Sequence, residues 1–357
     1  MRDLATLERI CRELPKTDLH LHIDGSVRPE TVVEFARADG KELDLPSTEK
    51  RMRVGPETRS LAEYLTKFPF VNSWLQRPER LARVTREVLE DCAAENVRVA
   101  ELRFCPLLHV GGGADVTQIL EAVLAGFAEG SKATGVVGGI IVDCLRDQPP
   151  EKQSQLAELA IRYKDNGVVA LDLAGNDTPS DSGKNSIGAF QTAGVAGLRR
   201  IVHAGEGGGA ESIREAIETL GAERIGHGTR LMGDPDLQAE IAQRGIPLEV
   251  CLTSNVQTRT VSDYDTHPFI RYLRAGVRVT INTDNRTVSH TTSSRELALA
   301  WFYGELSRDE LKRLVMNGVD ASFLPSEQKA AMRDRYSSEF DAVIAKYAGP
   351  ASKGAHA

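Results

Sequence analysis

The sequence predicts an α/β fold, a (β/α)8 TIM barrel with a helical insertion after strand 1. Three observations predict it. Short β-branched runs alternate with longer amphipathic ones, the runs number eight, and turn glycines such as Gly135, Gly167 and Gly245 punctuate the alternation. Strictly alternating βα units demand parallel strands with right-handed crossovers, and eight such units close a barrel. The competing architecture is an open doubly wound sheet, which would place its ligand at a topological switch point instead of around one rim.

Residues 17–23 form the opening strand, and the mostly helical stretch up to about residue 96 reads as the insertion. Beyond it the rhythm is regular, with strands at 97–104, 136–144, 168–173, 199–204, 224–227, 247–252 and 277–283. Apolar residues three and four apart mark the helices between them, as in Ile119, Val123 and Phe127 or Leu156, Leu159, Ala160 and Tyr163. No internal repeat, low-complexity tract or Pro/Ser linker divides the chain. Residues 1–348 are therefore expected to form one domain, with 349–357 as a frayed, small and polar tail.

With 357 residues, 41% hydrophobic and 27% charged, the chain can bury a large core, which excludes global disorder and a disulfide-dependent miniprotein. The 44 Lys and Arg against 51 Asp and Glu leave a net charge of −7, the wrong sign for a polyphosphate-binding surface. Nucleic acid is not an expected partner. The five cysteines are widely scattered with no C-x-x-C pair, as in reduced cytosolic thiols. The opening residues lack the apolar core of a secretory signal, and no run approaches the ~20 apolar residues of a membrane span. A cytoplasmic location with no membrane partner is expected.

Chemistry is concentrated where strands end. In Asp18-Leu19-His20-Leu21-His22-Ile23-Asp24-Gly25-Ser26, His20 and His22 alternate on one strand and share a face. If that face is the barrel interior, two imidazoles there need a partner to offset their desolvation, and a divalent cation is such a partner. His203 closes the apolar run Ile201-Val202, with Glu206 three residues on in a glycine-rich turn. His227 sits between Gly226 and Gly228 at the next strand end, and Asp284 ends the eighth strand. Each alone has a bland reading: a histidine satisfied by backbone carbonyls, or an aspartate capping a turn. Together, His20, His22, His203, His227 and Asp284 come from four strands and meet only if the barrel is real. Neutral imidazoles with one carboxylate suit zinc, although iron or manganese accept the same ligands.

Gly205-Glu206-Gly207-Gly208-Gly209-Ala210 fits a dinucleotide-binding pattern, but the following strand ends in His227-Gly228 where that fingerprint wants an acidic residue. Nicotinamide binding is rejected. No Walker loop, H-E-x-x-H helix or G-x-S-x-G elbow is present.

These motifs resemble those of the adenosine deaminase family, a metal-dependent branch of the amidohydrolase-like barrels. The likeness is carried in family order by DLHLHIDGS at 18–26, DLAG at 172–175, HAGE at 203–206, RIGHG at 224–228, CLTSN at 251–255 and NTDN at 282–285. It implies that His20, His22, His203 and Asp284 bind one Zn2+ per chain. It gives Glu206, His227 and Asp284 catalytic roles, and makes His22, Asp24, Gly175 and Asn285 substrate contacts. The implied reaction is hydrolytic deamination of a 6-aminopurine, adenosine or 2′-deoxyadenosine, with Glu206 protonating N1 and His227 or Asp284 taking the proton of water. Many family members carry two aspartates where this chain has Asp284-Asn285, and the second usually meets N7 of the purine. An asparagine amide can donate to N7 as well.

Three other readings compete. The substrate can be another adenine compound, such as adenine itself, a 5′-modified adenosine or aminodeoxyfutalosine. The barrel can cleave an ester or lactone, although relatives that do so bridge two metals with a carbamylated lysine, and the mid-barrel strand end here is Asp172-Leu173-Ala174-Gly175. A catalytically dead scaffold is the third, against which stands the retention of every candidate ligand. Phe68, Phe70, Trp74 and Leu75 either form an apolar lid over the sugar side or belong to an aromatic-rich helix that simply packs on the barrel.

Overall fold

The computed structural model describes residues 3–178 and 183–347. Eight strands pair in parallel in chain order: β1 (Lys16–His22), β2 (Val97–Phe104), β3 (Val137–Leu145), β4 (Val168–Ala174), β5 (Arg199–Ala204), β6 (Arg224–His227), β7 (Leu248–Val250) and β8 (Val279–Ile281). The order never reverses, so there is no switch point, and the chain is a (β/α)8 barrel. The last seam closes through one residue, since Asp284 N–H donates to His20 O and His22 N–H donates to Asp284 O, both at 2.8 Å. Below it the Asn282 side chain replaces a ladder bond by accepting Leu19 N–H at 2.9 Å.

Two strands are shorter than the sequence predicts. Leu252 opens the helix Leu252–Gln257 directly after β7, and β8 ends at Ile281, beyond which the Asn282 side chain serves the seam. The helical stretch after β1 also divides. Pro78–Ala94 is the crossover helix leading into β2, and it packs closely on Val116–Thr134: a Cβ on Gly126 would lie 2.2 Å from Ala82 O. The insertion itself is the shorter run of helices Pro29–Ala38, Leu45–Met52, Leu61–Leu65 and Phe68–Asn72. It is tied across the barrel mouth by Tyr64, whose hydroxyl lies 2.7 Å from Ser289 Oγ, and by Val54 N–H donating to Val288 O at 3.0 Å.

The apolar core lies between the strands and the helices around them, while inside the barrel only Ile141, Ala170 and Ile201 form a small apolar cluster. The rest of the interior is charged. Arg103 donates to Asp172 and to Glu249, each at 2.8 Å, and Arg224 donates to Glu249 at 2.5 Å and pairs with Glu101 at 2.6 Å. Branched apolar layers usually fill such a barrel. Burial would raise Asp172 and Glu249, but His203 and Arg103 hold the first, and Arg103 and Arg224 the second, well below the usual carboxylate range. Phe323 plugs the bottom, with the Arg224 guanidinium 4.0 Å above its ring. Residues 349–357 lie outside the described residues.

Candidate metal centre and active site

At the open end of the barrel the strand-end side chains converge. His22 Nε2 lies 3.3 Å from His203 Nε2, and Asp284 Oδ1 lies 3.5 Å from both His20 Nε2 and His22 Nε2. His227 joins the group, its ring centroid 4.7 Å from that of His20 and 5.3 Å from that of His203. Gly226 permits this crowding: a Cβ there would sit 3.1 Å from His20 Cε1. His227 and Asp284 both take left-handed backbone, each with φ of 62°, so the chain reverses sharply at both strand ends and turns these side chains over the mouth.

The outward nitrogen of each β1 and β5 histidine faces a buried carboxylate. His20 Nδ1 lies 2.9 Å from Glu249 Oε2, His203 Nδ1 lies 3.0 Å from Asp172 Oδ2, and His22 Nδ1 lies 3.4 Å from Asp143 Oδ2. Such a carboxylate holds the ring proton on Nδ1 and leaves Nε2 as a bare lone pair. Three lone pairs and the Asp284 carboxylate therefore point at one another, and buried His20 Nε2 has no hydrogen-bond partner. Acceptors packed against acceptors repel unless a cation lies among them, so the residues present fit a divalent metal. The electrostatics agree. Burial holds His22 down at about 4, keeping it neutral, and burial would raise Asp284 but the neighbouring histidines hold its carboxyl well below the usual range.

Beside this cluster Glu206 Oε2 lies 3.4 Å from His227 Nε2. Burial, with the like charges of Asp284 and Asp177, raises the Glu206 carboxyl well above the ordinary value. Burial also drives His227 well below its ordinary value. Asp177 shapes the Glu206 loop. Its two oxygens accept N–H bonds from Gly205 and Gly207 at 2.7 and 2.5 Å, from Gly208 at 2.8 Å, and from the Ser212 hydroxyl at 2.7 Å. The glycine-rich nest that resembled a dinucleotide loop is thus filled by a carboxylate of the chain itself.

A cavity of about 590 Å³ opens over the cluster, within the usual range for a small-molecule site. His22, Asp24, Gly175, Glu206, His227 and Asn285 line it, so every expected substrate contact faces one space. Asn285 lies directly over Gly25, where a Cβ would come 1.8 Å from its Oδ1, and its amide donates to Asp284 Oδ1 at 2.7 Å. The far wall is apolar, made by Leu61, Leu65, Phe68, Leu108 and Leu145. Of the four candidates for a lid only Phe68 lines it. Trp74 and Leu75 are buried in the core, and Phe70 packs under Arg51, whose guanidinium lies 3.6 Å from its ring. Sequence reasoning also missed the three carboxylates behind the histidines, and Arg146, which lines the cavity and donates to His203 O at 2.8 Å.

Residues 15–338 match the profile of the family described as adenosine deaminase. The chain belongs to the adenosine deaminase family. It is therefore a hydrolase acting on C–N bonds, of a metal-dependent family. A Clostridium botulinum protein named adenosine deaminase is 40% identical over 336 residues, which are 93% of this chain and 99% of that protein. Among solved structures, a Burkholderia ambifaria amidohydrolase with bound Zn superposes with a TM-score of 0.90 at 26% identity, covering 98% of this chain and 97% of that one. The adenine deaminase of Arthrobacter aurescens superposes with a TM-score of 0.84 at 29% identity, covering 91% of this chain and 98% of that one. Among the described residues no helix is long and apolar enough to cross a membrane.

Proposed function

We propose that this chain hydrolyses the 6-amino group of adenosine and 2′-deoxyadenosine, giving the 6-oxo nucleoside and ammonia, with one zinc ion held by His20, His22, His203 and Asp284. The observation that carries the reading is the buried Glu206 lying 3.4 Å from His227, beside the cluster of His20, His22, His203 and Asp284 and inside a single cavity. Zinc, when bound, supplies a Lewis acid that acidifies water near neutrality.

The chain's own residues then divide the work. The Glu206 carboxyl holds a proton to give to purine N1 as addition at C6 removes the ring's aromaticity. His227 and Asp284 are the groups beside the attacking water. Asp24 and Gly175 line the cavity for the rest of the substrate. Asn285, whose amide already donates one N–H to Asp284 Oδ1, is proposed to give its other N–H to purine N7. Insertion residues such as Phe68 and Leu65 offer an apolar wall and exclude solvent.

Adenine alone is the second reading, since the Arthrobacter relative is named for it. The cavity of about 590 Å³ is better filled by a base carrying its sugar. Loss of adenine absorbance over a panel of adenosine, 2′-deoxyadenosine, adenine, aminodeoxyfutalosine and 5′-modified adenosines tests this. Turnover of the two nucleosides above all others is expected, and inactivity on both overturns the reading. Five buried, unbridged cysteines support a reducing, cytoplasmic compartment. Residues 1–348 are proposed to act as one unit.

A further inference from the structure

Behind His227 lie three buried polar side chains, Thr229, Asn255 and His267, that neither belong to the metal cluster nor line the cavity. Their hydrogen bonds begin at the backbone, where Phe269 N–H donates to His267 Nδ1 at 3.2 Å. A peptide N–H can only donate, so His267 Nδ1 is bare and its ring proton sits on Nε2. That Nε2–H lies 3.1 Å from Asn255 Oδ1, which also accepts the Thr229 hydroxyl at 3.1 Å. With His267 donating to its oxygen, the Asn255 amide has one orientation, because a flip would set its NH2 against a donor. The NH2 therefore faces the other way, where it meets His227 Nδ1 at 3.1 Å. Asn255 is 0%, Thr229 1%, His227 1% and His267 2% exposed, so water does not substitute for any of these bonds.

We infer that Asn255 and His267 are positioning residues that keep the proton of resting His227 on Nε2, so that His227 meets the reacting oxygen as a hydrogen-bond donor and not as the base. The inference rests on the deaminase reading above and settles which of its two acceptors acts. Water's O–H bond breaks with its proton passing to the Asp284 carboxylate, its electron pair forms the bond to C6, and the displaced ring electrons take the Glu206 proton at N1. His227 keeps its proton throughout and stabilises the negative charge growing on the oxygen. The chain reads in one direction, from a peptide N–H through two fixed side chains to the catalytic imidazole.

The test is the ring 15N spectrum of histidine-labelled, zinc-loaded enzyme, with the His227 signal assigned by its loss in His227→Gln. A protonated Nε2 is expected, and a protonated Nδ1 overturns the inference whatever the activity. Asn255→Asp places an acceptor at Nδ1, so the proton should move there. kcat should then fall by about 10²- to 10⁴-fold, with KM and zinc content little changed. His267→Gln, whose amide can still donate to Asn255, should keep far more activity than His267→Phe. Unaltered kcat in Asn255→Asp would also overturn the inference. A protonated Nε2 in an enzyme that leaves adenosine untouched would instead sink the substrate reading and leave the positioning intact.

Discussion

His20 Nδ1 lies 2.9 Å from Glu249 Oε2, and both side chains are wholly buried. The pair joins the metal cluster to the ionic interior of the barrel, because the same carboxylate oxygen accepts from Arg103 at 2.8 Å. Burial alone would raise Glu249, yet Arg103 and Arg224 hold it well below the carboxylate range. The ligand orientation and the barrel's electrostatics are thus one structure.

Glu249→Gln should keep the shape but remove the charge that fixes the His20 proton. Metal affinity, read by competition with a chelator, is expected to fall about 10- to 100-fold. Arg103→Met is harsher, since it leaves Asp172 and Glu249 without their shared counter-ion. A loss of about 3–5 kcal/mol is expected by denaturant unfolding of the zinc-loaded enzyme.

Glu206→Gln tests the proposed donation of a proton to N1 while leaving the proposed metal ligands untouched. Turnover should fall about 10²- to 10⁴-fold with zinc content unchanged by elemental analysis. The raised Glu206 carboxyl also sets a sign for the pH profile. With the acid form as the proposed N1 donor, its contribution is present below its raised value and lost as pH climbs through it, giving an expected alkaline limb in kcat.

Glu296 lies behind the helix that carries Asn255, accepting Thr253 N–H at 3.1 Å and the Thr291 hydroxyl at 2.5 Å. Burial pushes its carboxyl up to about 7 from an ordinary 4.5. The fold therefore binds a proton that the unfolded chain releases, and stability falls as pH rises between those values. Glu296→Gln mimics the protonated form. It should match the wild type near pH 4.5 and exceed it by about 3 kcal/mol at pH 8, read by urea unfolding at both.

Phe68 and Trp74 separate the two roles of the insertion. Phe68→Ala should raise KM for the nucleoside with little change in Tm, because Phe68 lines the cavity. Trp74→Ala, at a residue only 7% exposed, should cost about 3–5 kcal/mol of stability while the folded enzyme keeps its KM.

The strand ends were legible because a histidine or aspartate closing an apolar run is a local break in pattern, and the eightfold alternation told where those ends meet. Asp143, Asp172, Glu249 and Arg103 were not. Asp143, Asp172 and Glu249 are each the one charge of their strand and Arg103 shares its strand with Arg98 and Glu101; such charges by themselves read as solvent-facing, and only barrel closure sets all four inside. Asp177 was invisible for a similar reason, since its partners begin with Gly205 and lie across a βα unit. Asn255 stood in a recognised motif, but its link to His227 depends on His267 and Thr229, which no spacing rule joins. The aromatic insertion stayed open between lid and packing because composition does not separate Phe68, which lines the cavity, from Trp74, which is buried.

His20, His22, His203 and Asp284 are proposed to hold one catalytic zinc. Diffraction from crystals of the purified enzyme, recorded on both sides of the zinc absorption edge, tests this most directly. One anomalous peak per chain is expected, about 2.0–2.2 Å from those four side chains. A peak elsewhere, a second metal beside it, or full turnover of adenosine by enzyme with no peak at all would contradict the account.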